Sequence, residues 1–134
     1  MRFEELEIGH SYQMKRAFSQ EEVMAFANLS HDTNPLHTDA EFAKTTQFGQ
    51  IIVPGFLTGS MFSAIIGTKF PGFGSVYMKQ EMVFRKPVFP GQQVTAVVMV
   101  KELYPEKHRV LLETKCLSKD NEVLIEGTAL VKIP

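Results

Sequence analysis

The feature that most constrains the fold is residues 55–67, which read GFLTGSMFSAIIG and are apolar on nearly every side. The polar side chains within this segment are small hydroxyls. A helix without a polar face must be buried on most sides. The chain has 134 residues, enough for one ordinary domain with one core, so we expect a single domain, residues 1–134, built around this helix.

The second half of the chain shows the alternation of apolar and polar residues that is typical of strands. Turn residues separate four predicted strands, which are residues 75–84, 94–103, 109–117 and 123–133. We expect these strands to form an antiparallel meander, so the fold class is α+β, with a long antiparallel sheet wrapped around the central hydrophobic helix. Because such a sheet leaves exposed edges, which proteins often pair across a dimer, we also expect a homodimer.

Two capping boxes predict where helices begin in the first half of the chain. In a capping box, a hydroxyl and a carboxylate three residues apart each satisfy a free amide at a helix start. Ser19 and Glu22 have this spacing, and so do Thr38 and Glu41. The two predicted helices flank residues 32–37, which are therefore held from both sides.

Residues 32–37 read DTNPLH and set a carboxylate and an imidazole five positions apart. Neighbours on one helix face lie three or four residues apart, so this spacing does not suit a helix. Pro35 favours a turn, which can bring Asp32 and His37 together as an acid/base pair. The alternative is an ordinary turn after a helix, which uses the same residue types.

A metal site is not predicted. Read as a calcium loop that begins at Asp32, the segment has Leu36, His37 and Ala43 where an oxygen ligand, a glycine and a bidentate glutamate are needed. The four histidines offer no His-x-x-x-His pair and no cysteine partner for zinc.

Gly55 lies at or near the start of the central helix, directly after Pro54. Amides at a helix N-terminus lack partners within the helix, and the helix dipole is positive there, so this end can bind a developing oxyanion. The packing interpretation is that Gly55, Gly59 and Ser63 are small because strands cross closely over the helix, and we favour it for Gly59.

Charge and composition exclude several classes of partner. The chain has 14 Lys and Arg against 15 Asp and Glu and no basic stripe, so we expect neither nucleic acid nor an anionic membrane as a partner. No apolar run approaches the ~20 residues that span a bilayer, and the charged N-terminal residues have no apolar signal core, so we expect a cytoplasmic protein. Cys116, the only cysteine, is expected to be a packed thiol.

Several motifs along nearly the whole chain resemble the MaoC-like, (R)-specific enoyl-CoA hydratases of the hot dog fold. The hydratase signature Asp-x-Asn-Pro-x-His is present as residues 32–37. The other matching segments, in the order of that family, are residues 51–55 (IIVPG), 62–63 (FS), 70–74 (FPGFG) and 84–91 (FRKPVFPG).

The resemblance implies reversible syn addition of water to a trans-2-enoyl thioester, giving the (R)-3-hydroxyacyl thioester. It implies that Asp32 and His37 activate the water and that the amide of Gly55 stabilises the enolate oxygen. Asn34 and Ser63 are implied as supporting residues, with Ser63 contacting Asp32 from beneath. The implied partner is an acyl-CoA or acyl carrier protein thioester, and no cofactor is implied because hydration moves no electrons.

Pro54 departs from the family pattern, because many relatives carry histidine there. Proline suits a helix N-terminus, so Gly55 keeps its expected role. Arg85 and Lys86 could meet the phosphates of coenzyme A or of a phosphopantetheine carrier, although exposed basic residues on a strand are more often only solvated. The candidate residues for lining an acyl pocket are Phe48, Phe56, Met61, Phe62 and Met78.

Three other functions remain open at this point. One is dehydration of (3R)-hydroxyacyl groups on a carrier protein. Another is a hot dog thioesterase, which the paired Asp32 and His37 argue against. The third is a non-catalytic acyl-binding dimer, which would require the loss of part of that pair.

Overall fold

The computed structural model describes residues 1–134, and its centre is the expected apolar helix, here α4 (Gly55–Thr68). A five-stranded sheet curves around α4, and every strand pair in it is antiparallel. The strands are β1 (Ser11–Arg16), β2 (Val76–Phe84), β3 (Val94–Tyr104), β4 (Arg109–Ser118) and β5 (Val123–Lys132). The α+β class and the hot dog architecture are therefore confirmed.

The order of the strands is β1-β3-β4-β5-β2, so the prediction of one four-stranded meander is wrong. Strands β3, β4 and β5 do form a meander, but β2 pairs with β5 instead of β3. The segment between β2 and β3 contains Pro87 and Pro90 and crosses to the far side of the sheet, where the Gly91 amide donates to the carbonyl of Phe18 at 2.8 Å. Alternation within β2 specifies its faces but not its neighbour, which explains the error.

The core lies between the concave face of the sheet and α4. Met61, Phe62, Ile65 and Ile66 of α4 are almost fully buried, and every second residue of β3 from Val94 to Val100 is buried against them. Full burial of a large apolar side chain contributes about 1.5–3 kcal/mol. These contacts hold α4 against the sheet, and they thereby fix the position of its N-terminus.

Three short helices precede α4, namely α1 (Gln20–Ser30), α2 (Pro35–Thr38) and α3 (Ala40–Lys44). Helix α1 begins at the predicted capping box, in which the Ser19 hydroxyl accepts from the Glu22 amide at 3.1 Å and the Glu22 carboxylate accepts from the Ser19 amide at 2.9 Å. It ends at His31, which has a left-handed backbone with φ 65. Two single turns of 3-10 helix, at Phe3–Glu5 and Pro105–Lys107, complete the helical elements.

The second predicted capping box, with Thr38 as its first residue, is wrong. Asp39 caps α3 instead, and its carboxylate accepts from the amides of Glu41 and Phe42 at 3.0 and 3.2 Å. Thr38 is the last residue of α2, and its hydroxyl donates back to the carbonyl of Asn34 at 3.2 Å. A carboxylate is a strong acceptor for amides at a helix start, so Asp39 takes the position that the spacing suggested for Thr38.

No helix of the chain is both long enough and apolar enough to cross a bilayer.

Candidate active site

A cavity of about 410 Å³ lies at the N-terminus of α4 and brings three of the five predicted site residues together. Asp32 and His37 line it from the α1–α2 region, and Gly55 lines it from the first turn of α4. The segment after β2 closes the opposite side. The other lining residues are Phe48, Ile52, Val53, Pro54, Phe56, Thr58, Phe84, Arg85, Lys86, Pro87, Val88 and Ile125.

Local hydrogen bonds hold the loop that carries Asp32. The Asp32 amide donates to the hydroxyl of Ser30 at 3.1 Å, and its carboxylate accepts from the amide of Asn34 at 3.3 Å. The Asn34 side chain in turn caps α2 by accepting from the Leu36 amide at 3.0 Å. Asn34 therefore orders the loop between the acid and the imidazole, which agrees with a supporting role for this residue.

His37 is 8 % exposed, and its Nδ1 lies 2.7 Å from the carbonyl oxygen of Ile52. A carbonyl can only accept, so Nδ1 must carry the proton in this hydrogen bond. In the neutral ring the other nitrogen, Nε2, is then unprotonated. This contact fixes the orientation of the ring and selects the tautomer in which Nε2 is free to accept a proton, as a general base must.

Two amides at the start of α4 have no acceptor within the protein. The Leu57 and Thr58 amides both bond the carbonyl of Pro54, at 3.0 and 3.1 Å, whereas the amides of Gly55 and Phe56 make no hydrogen bond. This is the pattern of a helix N-terminus without a side-chain cap. The α4 helix thus offers two donors beside Asp32 and His37, one of which, the Phe56 amide, the sequence analysis did not single out.

Side chains of β2 pack closely against two glycines of α4. A Cβ at Gly55 would lie 2.4 Å from Cε1 of Phe84, and a Cβ at Gly59 would lie 2.7 Å from the sulfur of Met82. The contact with Met82 of β2 agrees with the packing interpretation of Gly59. At Gly55, close packing of the Phe84 ring and a free amide occur together.

Ser63 is the predicted site residue that lies apart from the others. It is exposed on α4, makes no hydrogen bond and does not line the cavity. The contact with Asp32 is not made within one chain, and the supporting role of Ser63 stays a prediction.

Only two of the five candidates for lining an acyl pocket lie at the cavity. Phe48 and Phe56 line the cavity, whereas Met61 and Phe62 belong to the buried core. Met78 is exposed on β2. Sequence alone could not separate these residues, since all five are large and apolar.

Thr58 is a cavity residue that the sequence analysis passed over. It is 1 % exposed, and its buried hydroxyl has no hydrogen-bond partner. Its sequence signal was weak, because a threonine one turn into an apolar helix looks like a small packing residue.

The basic residues Arg85 and Lys86 lie on the cavity wall, and each has an acidic partner. The Arg85 guanidinium pairs with Glu126 at 3.0 Å, and the Lys86 ammonium contacts Glu122. Both cations are about half exposed, so these surface pairs are weakly bound and can be exchanged for another anion.

Cys116 is buried, and burial raises the pKa of its thiol to about 12. At neutral pH it is therefore protonated and a poor nucleophile, as expected for a packed thiol. No group of three or more His, Cys, Asp or Glu side chains lies close enough together to hold a metal ion.

Comparison with known proteins points in the same direction. The family model of the MaoC like domain matches residues 4–123. The (R)-specific enoyl-CoA hydratase of Aeromonas caviae is 42% identical over 100% of both chains, and the 3-hydroxybutyryl-CoA dehydratase of Methylorubrum extorquens is 42% identical over 98% of this chain and 83% of its own. The solved structure of the A. caviae (R)-hydratase involved in PHA biosynthesis has a TM-score of 0.93 at 43% identity, covering 96% of this chain and 98% of that one.

Proposed function

This chain belongs to the MaoC-like domain family, and on that premise we propose that it is a hydro-lyase which catalyses the (R)-specific, reversible hydration of trans-2-enoyl-CoA to (R)-3-hydroxyacyl-CoA. The observation that carries the proposal is the meeting of three elements in one cavity. Asp32, His37 and the free amides of α4 all line it, although they come from separate parts of the chain.

Asp32 and His37 would act together on one water molecule. The water oxygen bonds to C3 of the enoyl group while one of its protons passes to the Asp32/His37 pair. The electron pair of the C2–C3 double bond moves toward C2 and the thioester oxygen. The pair then delivers a proton to C2 on the same face, so water is added and the pair returns to its starting protonation.

The free amides of Gly55 and Phe56 would stabilise the negative charge that develops on the thioester oxygen. Their donors are held in place by the buried helix before any substrate arrives, so little reorganisation is needed in the transition state. Loss of one such donor in other enzymes costs about 3 kcal/mol of transition-state stabilisation. The rigid mounting of α4 on the sheet is therefore part of the proposed chemistry.

The test is the loss of conjugated enoyl absorbance when the purified protein meets crotonyl-CoA, followed by chiral analysis of the product. We expect (R)-3-hydroxybutyryl-CoA, and the same protein should dehydrate that product in the reverse assay. Release of free thiol with the absorbance unchanged would identify a thioesterase instead. No reaction with acyl chains of any length on coenzyme A or on a carrier protein would leave the acyl-binding dimer as the better description.

We propose a homodimer that pairs through the free edge of β2. Strand β2 has nine residues and bonds only β5, and its exposed side chains include the apolar Val76, Met78 and Val83. The opposite edge, β1, is shorter and ends in Lys15 and Arg16. Short, charged edges resist pairing and long apolar ones favour it, so β2 is the edge we select.

We also retain the single domain, residues 1–134, and a cytoplasmic location as proposals. The fold contains one free, buried cysteine and hence does not depend on a disulfide, which suits a reducing compartment. Limited proteolysis tests the first proposal, which expects no stable fragment. Fractionation of the native host tests the second.

A further inference from the structure

The hydroxyl of Thr58 differs from the other three hydroxyls of α4 because it is both buried and without a hydrogen-bond partner, whereas Ser60, Ser63 and Thr68 are exposed. Ser60 donates to the carbonyl of Leu57 at 2.5 Å, and Thr68 donates to the carbonyl of Ala64 at 2.6 Å. These are the usual hydrogen bonds of Ser and Thr within a helix. Thr58 makes no such bond, and its Oγ1 is buried without any partner.

An unpartnered buried hydroxyl is unfavourable, because it has lost water and gained nothing in return. Thr58 could restore a hydrogen bond by turning to the carbonyl of the preceding turn, as Thr68 does. It does not make that bond, and the residue lines the cavity, whose wall also includes the buried residues Val53, Val88 and Ile125. The structure thus leaves the Thr58 hydroxyl without a partner beside the cavity, where a rotation about the Cα–Cβ bond would turn it toward a bound molecule.

The position of Thr58 relates its hydroxyl to the free amides. Residues three apart lie on the same helix face, so Thr58 follows Gly55 on the side that faces the cavity. Helical side chains lean toward the N-terminus of their helix, which brings the Thr58 side chain toward the first turn. The free amides of Gly55 and Phe56 lie in that turn.

We propose that Thr58 is a catalytic residue whose hydroxyl gives a third hydrogen bond to the thioester oxygen held by the amides of Gly55 and Phe56. This inference rests on the proposed hydratase function and adds a donor to its site. Thr58 itself is shielded from bulk water, since it is 1 % exposed, and a hydrogen bond to a developing charge is stronger away from water. The charge develops only in the transition state, so the interaction raises kcat more than it lowers KM.

The test compares three variants of the full chain with the wild type in the crotonyl-CoA assay. Thr58→Val removes the hydroxyl while nearly preserving shape, and Thr58→Ser retains it. Thr68→Val makes the same change on the same helix at an exposed residue outside the cavity, and serves as the matched control. Thermal unfolding of all four proteins is measured in parallel.

We expect Thr58→Val to lower kcat about 10- to 100-fold, the factor that corresponds to one hydrogen bond to a charged group, with KM changed much less. Its unfolding midpoint should stay the same or rise, because the substitution removes an unpartnered buried hydroxyl. Thr58→Ser should recover most of the lost kcat, and Thr68→Val should keep wild-type kcat. A merely structural role for Thr58 predicts the opposite pattern, with stability lost and the rate per folded protein retained.

Wild-type kcat in Thr58→Val would overturn the inference, and so would a change in KM alone. Either result would leave the hydratase proposal intact, because the wild type would still hydrate crotonyl-CoA. A wild type inactive on every acyl length and carrier would remove the proposed function, and the role of Thr58 with it.

Discussion

At the residue scale, hydrogen bonds to backbone groups hold two side chains of the candidate site in place. His37 is oriented by the carbonyl of Ile52, and Asn34 orders the loop by capping α2. Asp32 is different, since its carboxylate accepts only one weak backbone bond, at 3.3 Å, and is otherwise exposed at the cavity. Its loss should therefore affect chemistry far more than stability.

Replacing Asp32 with asparagine should lower kcat for crotonyl-CoA by at least about 100-fold, the contribution typical of general acid/base groups. Asparagine is nearly isosteric and can still accept from the Asn34 amide, so the unfolding midpoint should not change. The matched control is Asp39→Asn, which alters a carboxylate that caps α3 outside the cavity and replaces it with another good cap. Wild-type turnover in Asp32→Asn would exclude Asp32 from the mechanism.

At the scale of elements, the position of β2 beside β5 depends on a glycine. A Cβ on Gly127 of β5 would lie 1.8 Å from the backbone oxygen of Glu81 in β2, and backbone cannot move aside as a side chain can. The packing of β2 also brings Met82 onto Gly59 and Phe84 onto Gly55 of α4. The strand at the edge of the sheet therefore shapes both the helix surface and the cavity wall.

Substitution of Gly127 by alanine should destabilise the protein by at least about 2 kcal/mol, because the two strands must separate locally. Gly67→Ala is the control, since a Cβ there would meet nothing within 4 Å and alanine favours helix by about 1 kcal/mol. Chemical unfolding curves of the two variants measure the difference. Equal stabilities would show that β2 does not lie against β5 as described.

At the scale of the whole molecule, the exposed apolar residues of β2 predict its assembly. The wild type should have twice the mass of one 15.1 kDa chain in sedimentation or light-scattering measurements. The double variant Val76→Lys/Met78→Lys places charge on the β2 edge and should shift the protein toward monomer. Leu29→Lys changes an apolar residue that is 84% exposed on α1 and should not alter the mass. A monomeric wild type, or a dimer indifferent to both β2 changes, would contradict this assembly.

At the same scale, the cavity wall predicts how the protein binds the phosphates of the acyl carrier. Arg85 and Lys86 lie on the cavity wall, where they can exchange their glutamate partners for phosphate. The variant Arg85→Gln/Lys86→Gln should raise KM for crotonyl-CoA by about tenfold and leave kcat nearly unchanged. It should have no effect on a crotonyl thioester of N-acetylcysteamine, which carries no phosphate.

Lys44→Gln removes an exposed lysine outside the cavity and serves as the charge control. If the double variant and this control change KM equally, Arg85 and Lys86 have no part in holding the carrier.

The amino-acid sequence by itself determined the local features of this protein. The apolar pattern of residues 55–67 predicted the buried helix, alternation predicted the long strands, and the spacing of Ser19 and Glu22 predicted the start of α1. The motif at residues 32–37, together with the other matching segments along the chain, predicted the family as well. Each of these depends on residues close together in the chain, or on a pattern that can be read along it.

Only the tertiary structure decided which distant parts of the chain meet. The pairing of β2 with β5 and the hydrogen bond from His37 to Ile52 each join residues that lie far apart in the chain. The Thr58 hydroxyl lacks a partner because of how the residues around it pack. Side-chain periodicity carries no information about which neighbour a strand will take or which rotamer a hydroxyl will adopt. The sequence therefore predicted the parts of the site, and packing around α4 decided how they come together.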